Sequence, residues 1–225
     1  MLIIFDLDDT LLETSDILIP NNLSYALKEM QKAGLETNDQ DFNQLHEHLL
    51  QINKTTKNGK QTIIKFLNKI NQNNNPQIST IGINAYYKNP NCEIKIKQET
   101  LSILKELKNN NINLAIVSHG DEVIQTKKID QNNLKPLFNQ IIITNTYNKL
   151  NQYKYLMNLQ EYYNQEIIVV GDKFETDLLP AAQLNLTTIH MQKGRGIKDF
   201  IGKSQSDYCI KHINELLPII EKCKQ

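Results

Sequence analysis

The sequence contains no tryptophan and a single arginine, Arg195. A bidentate arginine clamp on a substrate carboxylate or phosphate can therefore come from one loop only, Lys193-Gly194-Arg195-Gly196, which reads first as a surface loop. Net charge is also missing, since Lys+Arg and Asp+Glu both number 25. That excludes the broad electrostatic footprint of a nucleic-acid or anionic-membrane binder, though not a local basic pocket. The three cysteines, Cys92, Cys209 and Cys223, have neither metal-ligand nor redox spacing. They read as small apolar or surface thiols in a reducing cytoplasm. No apolar run approaches the ~18 residues of a membrane span. The first run, Leu2 to Phe5, is too short for a secretion signal and lacks basic flanks. The expectation is a cytoplasmic protein whose partners are neither nucleic acid nor membrane.

What is present is an ordinary globular composition, 40% hydrophobic and 22% charged over 225 residues. That length suits one domain, or a core with a smaller insert. Leu2-Ile3-Ile4-Phe5 is a continuous apolar run, as a strand buried on both faces requires. Similar runs are Leu114–Val117, Gln140–Ile143 and Ile167–Val170, with weaker ones at Thr187–His190 and Tyr208–Ile210. Helical patterns alternate with them. Glu99 to Lys108 places Leu101, Leu104 and Leu107 on one face, and Gln152 to Gln160 places Tyr155, Leu156 and Leu159. Thr176–Leu184 and Ile213–Lys222 complete the set. This alternation predicts an α/β fold, a Rossmann-like parallel sheet with helices on both faces and ligands at the carboxyl ends of its strands. Residues 17–87 carry helical patterns without a strand and are expected to form a separate helical insert. The remainder, 1–16 and 88–225, forms the core. Asparagine runs at 73–75 and 109–111 lie between periodic segments and read as turns.

Four segments could carry chemistry. Asp6-Leu7-Asp8-Asp9-Thr10 follows an apolar strand directly. Crowded carboxylates raise one another's pKa, and a divalent cation with oxygen ligands removes that penalty. The plainer reading is an acidic turn and helix cap. The second segment, Val169-Val170-Gly171-Asp172-Lys173-Phe174-Glu175-Thr176-Asp177, repeats the strand-to-acidic-loop pattern. Gly171 allows close backbone approach. Asp172 would project from the strand end, and Asp177 would sit in the first turn of the helix. Capping by Asp or Thr is the plainer alternative. In the third, Ser118 and His119 end a strand, where a hydroxyl and backbone N–H groups can hold a phosphoryl oxygen. The fourth is a lysine, Lys149 or Lys154, since phosphoryl transfer gathers negative charge.

In this order the segments resemble the haloacid dehalogenase (HAD) superfamily. Asp6-Leu7-Asp8-Asp9-Thr10 matches its Asp-x-Asp-x-Thr motif, and Ser118 its Ser or Thr after a strand. Lys149 matches its lysine at a helix start, with an aromatic, Tyr155, six positions on but without the prolines of many members. Gly171-Asp172 with Asp177 matches the last motif. The resemblance implies that Asp6 is the nucleophile that becomes an aspartyl phosphate, and that Asp8 is the general acid and then base. It implies Mg²⁺ held by the Asp6 carboxylate, the Asp8 carbonyl and Asp172, supported by Asp177. Ser118, His119 and Lys149 would contact the phosphate or substrate. The insert resembles the family's cap domain, which covers the active site and favours small phosphorylated metabolites. An acid at Asp8 favours phosphate-ester hydrolysis over dehalogenation, because an alkoxide leaving group needs a proton. Two alternatives stand beside this phosphatase: a phosphosugar mutase on the same fold, and a noncatalytic protein that binds a phosphate ligand.

Overall fold

The computed structural model describes residues 1–36, 41–56, 58–71, 75–89, 93–194, 197 and 205–223. Of the positions read from sequence, Asn73, Asn74, Cys92, Arg195 and Gly196 lie outside the described residues. The chain divides into two compact units, Met1–Thr14 with Ile94–Gln225, and Ser15–Glu93.

The first unit is a parallel sheet. Its strands are β1 (Leu2–Phe5), β2 (Asn113–His119), β3 (Gln140–Thr144), β4 (Ile167–Gly171), β5 (Thr187–Met191) and β6 (Tyr208–Ile210). They lie in the order β3-β2-β1-β4-β5-β6, all pairs parallel. All four residues of β1 are buried, as a strand covered on both faces demands. On one face Leu2, Ile4, Ala115, Val117, Ile167 and Val169 pack with Tyr153, Leu156, Phe174 and Leu178. Phe5 points the other way and meets the edge of Phe138, with ring centroids 6.3 Å apart. The order reverses between β1 and β4, and loops leaving two such neighbours in opposite directions open a crevice at their carboxyl ends.

The second unit holds α1 (Ile19–Lys32), α2 (Phe42–Asn53), α3 (Gly59–Lys69) and α4 (Pro76–Tyr87). Three of these helices start on side-chain caps: Asp41 accepts from the Gln44 N–H, Asn58 from Gln61, and Asn75 from Gln77 and Ile78. Such a cap is worth about 1 kcal/mol. Leu23, Leu27, Met30, Leu45, Leu49, Ile63, Phe66 and Ile78 form the unit's apolar core. Gly82 lies so close to the Met30 side chain that a Cβ there would sit 2.5 Å from its sulfur. The missing side chain is what lets α4 approach α1.

The core's helices are α5 (Gln98–Asn109), α6 (Glu122–Gln131), α7 (Leu150–Met157), a short α8 (Leu179–Ala182) and α9 (Leu216–Cys223). Two expected faces are rotated. In α5 the buried set is Thr100, Ile103, Leu104 and Leu107, with Leu101 half-buried. In α7 Tyr153 and Leu156 are buried while Tyr155 is 56% exposed. Both errors arise from anchoring the 3.6-residue period on a residue at the edge of the apolar stripe. The asparagine-rich turns have a common physical basis. Asn71, Asn111, Asn133, Asn164 and Asn185 all adopt positive φ, 54° to 58°. Asparagine tolerates the left-handed region better than other side-chain-bearing residues, so here it takes positions often filled by glycine. Cys209 and Cys223 are free thiols, and no described helix is long and apolar enough to cross a membrane.

Candidate active site

The register of the sheet assembles the site. Phe5 pairs with Ile116 on one side and Val170 on the other; β1 ends there, β4 runs one residue further to Gly171 and β2 three further to His119. Asp6 and Asp172, just beyond β1 and β4, and Ser118, near the end of β2, thereby lie at the carboxyl ends of three adjacent strands. The Asp6 N–H donates to the Val170 carbonyl at 2.9 Å, extending the ladder to the carboxylate-bearing residue itself.

Asp6, Asp172 and Asp177 are buried and can each offer a carboxylate oxygen within 4.8 Å of the others. Asp177 lies in a π-helical turn, Phe174–Leu178, rather than in a regular first turn of α-helix. Gly171 makes its approach feasible, because a Cβ at that position would stand 2.5 Å from the Asp177 Cβ. The Lys173 N–H donates to Asp177 Oδ2 at 3.1 Å. Lys149, 1% exposed at the start of α7, reaches Asp6 Oδ1 at 2.5 Å and Asp177 Oδ1 at 2.7 Å. Lys154, one turn on, is exposed. The geometry therefore brings Lys149 into the cluster and leaves Lys154 out.

The electrostatics are uneven. Burial pushes Asp6 up to about 6, against the pull of Lys149 and with help from nearby Asp177. Burial also drives Asp172 well above the ordinary carboxylate range. Both Asp172 oxygens are buried without a hydrogen-bond partner, and the Lys173 ammonium stands 3.8 Å away. Asp177 moves down, because Lys149 and Lys173 outweigh its burial. A buried carboxylate with no donors is costly. A hard divalent cation with oxygen ligands removes the cost, and the donor set of three carboxylates fits one. The Asp8 carboxylate lies outside this set, its expected contribution to the metal being through the backbone carbonyl.

Asp8 has a separate environment. Thr14 donates to its Oδ1 at 2.5 Å, Gln125 to Oδ2 at 2.8 Å, and Lys128 to both oxygens at 2.7 and 2.9 Å. Burial would raise this carboxyl, but Lys128 and the other donors hold it down to about 2. Gln125 also donates to Ser118 Oγ at 2.7 Å, tying Asp8 to the expected phosphate contact. His119 stacks on Tyr147 with centroids 4.1 Å apart. Burial, then Lys149 and Lys173, lower its affinity for a proton.

Sequence reading missed Thr14, Gln125, Lys128 and His190. His190, fully buried on β5, lies with Nε2 3.0 Å from the Asp172 carbonyl oxygen. That contact requires the Nε2–H tautomer, which fixes the backbone carrying Asp172. A signal for the α6 pair existed. Val123 is 77% exposed while Gln125 and Lys128 are buried, so the helix turns polar residues inward.

The family model of haloacid dehalogenase-like hydrolases matches residues 3–191. The chain belongs to that family. Two relatives similar over nearly their whole length are phosphatases by name. The glyceraldehyde 3-phosphate phosphatase of Methanocaldococcus jannaschii is 26% identical over 99% of this chain and 98% of its own. Its namesake from Pyrococcus furiosus is 25% identical over 98% of this chain and 92% of its own. In fold the chain resembles the crystal structure of a candidate phosphatase from Clostridium difficile, with TM-score 0.72, 20% identity and 97% of each chain covered. The chain is accordingly a hydrolase of the HAD type.

Proposed function

We propose that this hydrolase is a cytoplasmic, Mg²⁺-dependent phosphatase of a small phosphorylated metabolite, acting through an aspartyl phosphate on Asp6. The observation that carries the reading is the Asp6, Asp172 and Asp177 cluster, with the Asp172 carboxylate buried and unpaired. Asp6, Asp172 and the Asp8 carbonyl would hold Mg²⁺, with Asp177 in support. The ion would supply positive charge that lets an anionic nucleophile meet an anionic phosphoryl group.

The protein's own groups carry the steps. Lys149 pins the Asp6 carboxylate on the axis of attack and faces the incoming phosphoryl oxygens. Asp6 forms a bond to phosphorus as the ester oxygen leaves, taking a proton from Asp8, which must first gain that proton from solvent against the hold of Lys128. Asp8 then receives a proton from the water that attacks the aspartyl phosphate, which releases phosphate and regenerates Asp6. Ser118 and His119 bound the phosphoryl pocket. The helical insert acts as the cap and selects the leaving group. Full-length similarity to glyceraldehyde 3-phosphate phosphatases makes a three-carbon sugar phosphate the first substrate to try.

The test is phosphate release, with and without Mg²⁺, from glyceraldehyde 3-phosphate, other sugar phosphates, nucleotides and phospho-acids, compared by kcat/KM. The expected result is Mg²⁺-dependent release that Asp6→Asn lowers by roughly 10⁴-fold or more, as loss of a nucleophile does elsewhere. Isomerised phosphosugar without free phosphate would instead establish a mutase. Inactivity across the panel would favour a binding protein.

A further inference from the structure

We propose that His190, on β5, is a positioning residue for the cation site, holding the peptide that carries Asp172 at the angle at which its carboxylate meets those of Asp6 and Asp177. The inference rests on the Mg²⁺-dependent reading and deepens it, adding a residue outside the four motif segments.

The peptide bond between Asp172 and Lys173 is planar, so its carbonyl and its N–H turn together. Both are held. The carbonyl oxygen lies 3.0 Å from His190 Nε2, and the N–H donates to Asp177 Oδ2 at 3.1 Å. A plane gripped at both edges tilts only by breaking one of those bonds, and its tilt helps set the direction in which the Asp172 side chain leaves the chain. On the other side of Asp172, Gly171 is in register with His190 itself. The strand thus fixes this loop twice, by its backbone at Gly171 and by a side chain at Asp172, one residue past the last pair of the ladder. The second grip comes from Asp177, a member of the acidic cluster. His190 and Asp177 therefore clamp a single peptide between them.

As a core residue His190 is expensive. It is fully buried, and its Nδ1 has no hydrogen-bond partner among the described residues. A buried polar atom left unpaired weighs against folding, and an apolar side chain would avoid that cost. The flanking residues Ile189 and Met191 are apolar. What the imidazole supplies, and they do not, is a donor that reaches the Asp172 carbonyl. The Asp172 carboxylate has no hydrogen-bond donor of its own among the described residues, so its direction depends on the backbone behind it. Mg²⁺ demands near-ideal octahedral geometry, and a carboxylate on a loose peptide meets that demand poorly. Groups that orient a metal ligand from behind are worth about 10–100-fold in affinity where they have been removed.

The experiment measures the Mg²⁺ dissociation constant by calorimetry, and melting in EDTA, for wild type and three variants. His190→Phe keeps the ring and loses the donor. His190→Asn and His190→Gln both keep an amide, but only the glutamine places its nitrogen about as far out as Nε2. His190→Phe and His190→Asn should weaken Mg²⁺ binding by about 10–100-fold, and His190→Gln should stay within about threefold of wild type. If His190→Phe fails to fold, the two amide variants decide alone, since they differ by one methylene. Variants that melt earlier in EDTA yet keep the wild-type dissociation constant would overturn the proposal, leaving His190 a purely structural residue. Equal weakening in His190→Asn and His190→Gln would overturn it too, because reach to the carbonyl would then not matter. A wild-type protein that binds no Mg²⁺ would instead defeat the Mg²⁺-dependent reading, and this inference with it.

Discussion

Removing the Asp172 carboxylate should make the metal-free protein more stable while destroying its response to Mg²⁺. Asp172 is fully buried, has no hydrogen-bond donor on either oxygen, and shares its surroundings with two other carboxylates. The scale of the penalty can be taken from Asp6, which has Lys149 to help it and still rises from 3.8 to about 6. That difference corresponds to about 3 kcal/mol of disfavoured ionisation. Asp172 lacks such a partner at hydrogen-bond distance. Asp172→Asn removes one charge from the cluster, preserves shape and brings amide hydrogens toward its neighbours. Allowing for relaxation, the metal-free variant should gain about 1–3 kcal/mol, or roughly 3–10 °C in Tm for a chain of this size. Wild-type protein should gain about 3 kcal/mol from Mg²⁺ at a hundred times its Kd, and the variant little. Melting curves of both proteins in EDTA and in excess Mg²⁺ test this directly. A variant less stable than wild type in EDTA, or one that keeps the full Mg²⁺ shift, would refute the idea that Asp172 is kept for a cation.

Further predictions follow from the same geometry. Lys149→Met strands Asp6 and Asp177 without their cation, and should cost about 3–5 kcal/mol in urea denaturation of the metal-free protein, besides abolishing turnover. Gly171→Ala forces a methyl group against Asp177, and should cost about 1–3 kcal/mol and weaken Mg²⁺ binding measured by calorimetry. The stability of metal-free protein should peak on the acid side of neutrality. Asp6, raised to about 6, contributes stability that is complete below the ordinary 3.8 and lost as pH rises through about 6. Asp8, held at about 2, contributes about 2 kcal/mol above the ordinary 3.8 that is lost as pH falls toward about 2. Urea midpoints across this range should therefore pass through a maximum between about pH 4 and 6, and a flat or rising profile up to neutrality would contradict the assignment.

The central strands β1 and β4 were legible because burial on both faces leaves little choice of residue. Each of the six runs named from sequence is a strand, including the three-residue Tyr208–Ile210. The helical faces of α5 and α7 were less legible, because Leu101 and Tyr155 are apolar yet sit at the edge of the stripe or outside it. The structure brings Asp6, Asp172, Asp177 and Lys149 together, as the resemblance to the HAD superfamily implied. The surroundings of Asp8 were not legible. Lys128 lies 120 positions from Asp8 in the chain, and nothing local distinguishes a buried lysine from a solvated one. Only the inverted polarity of α6 hinted at it. His190 was hidden for a related reason, since a histidine ending an apolar strand looks like an interruption until its neighbour on β4 is known.

The register of β1 with β2 and β4 has one more consequence. Asp6 and Asp172 lie one residue past the strands that carry them, so their positions are indexed by aliphatic residues that never touch substrate. Substitutions among those residues should be tolerated if volume is kept, whereas a single insertion or deletion inside β1 or β4 would turn core residues outward and the carboxylates with them. The chemistry of this protein is in that sense a matter of counting. Its loops are free to diverge in composition, but the number of residues between the buried core and the first aspartate is not.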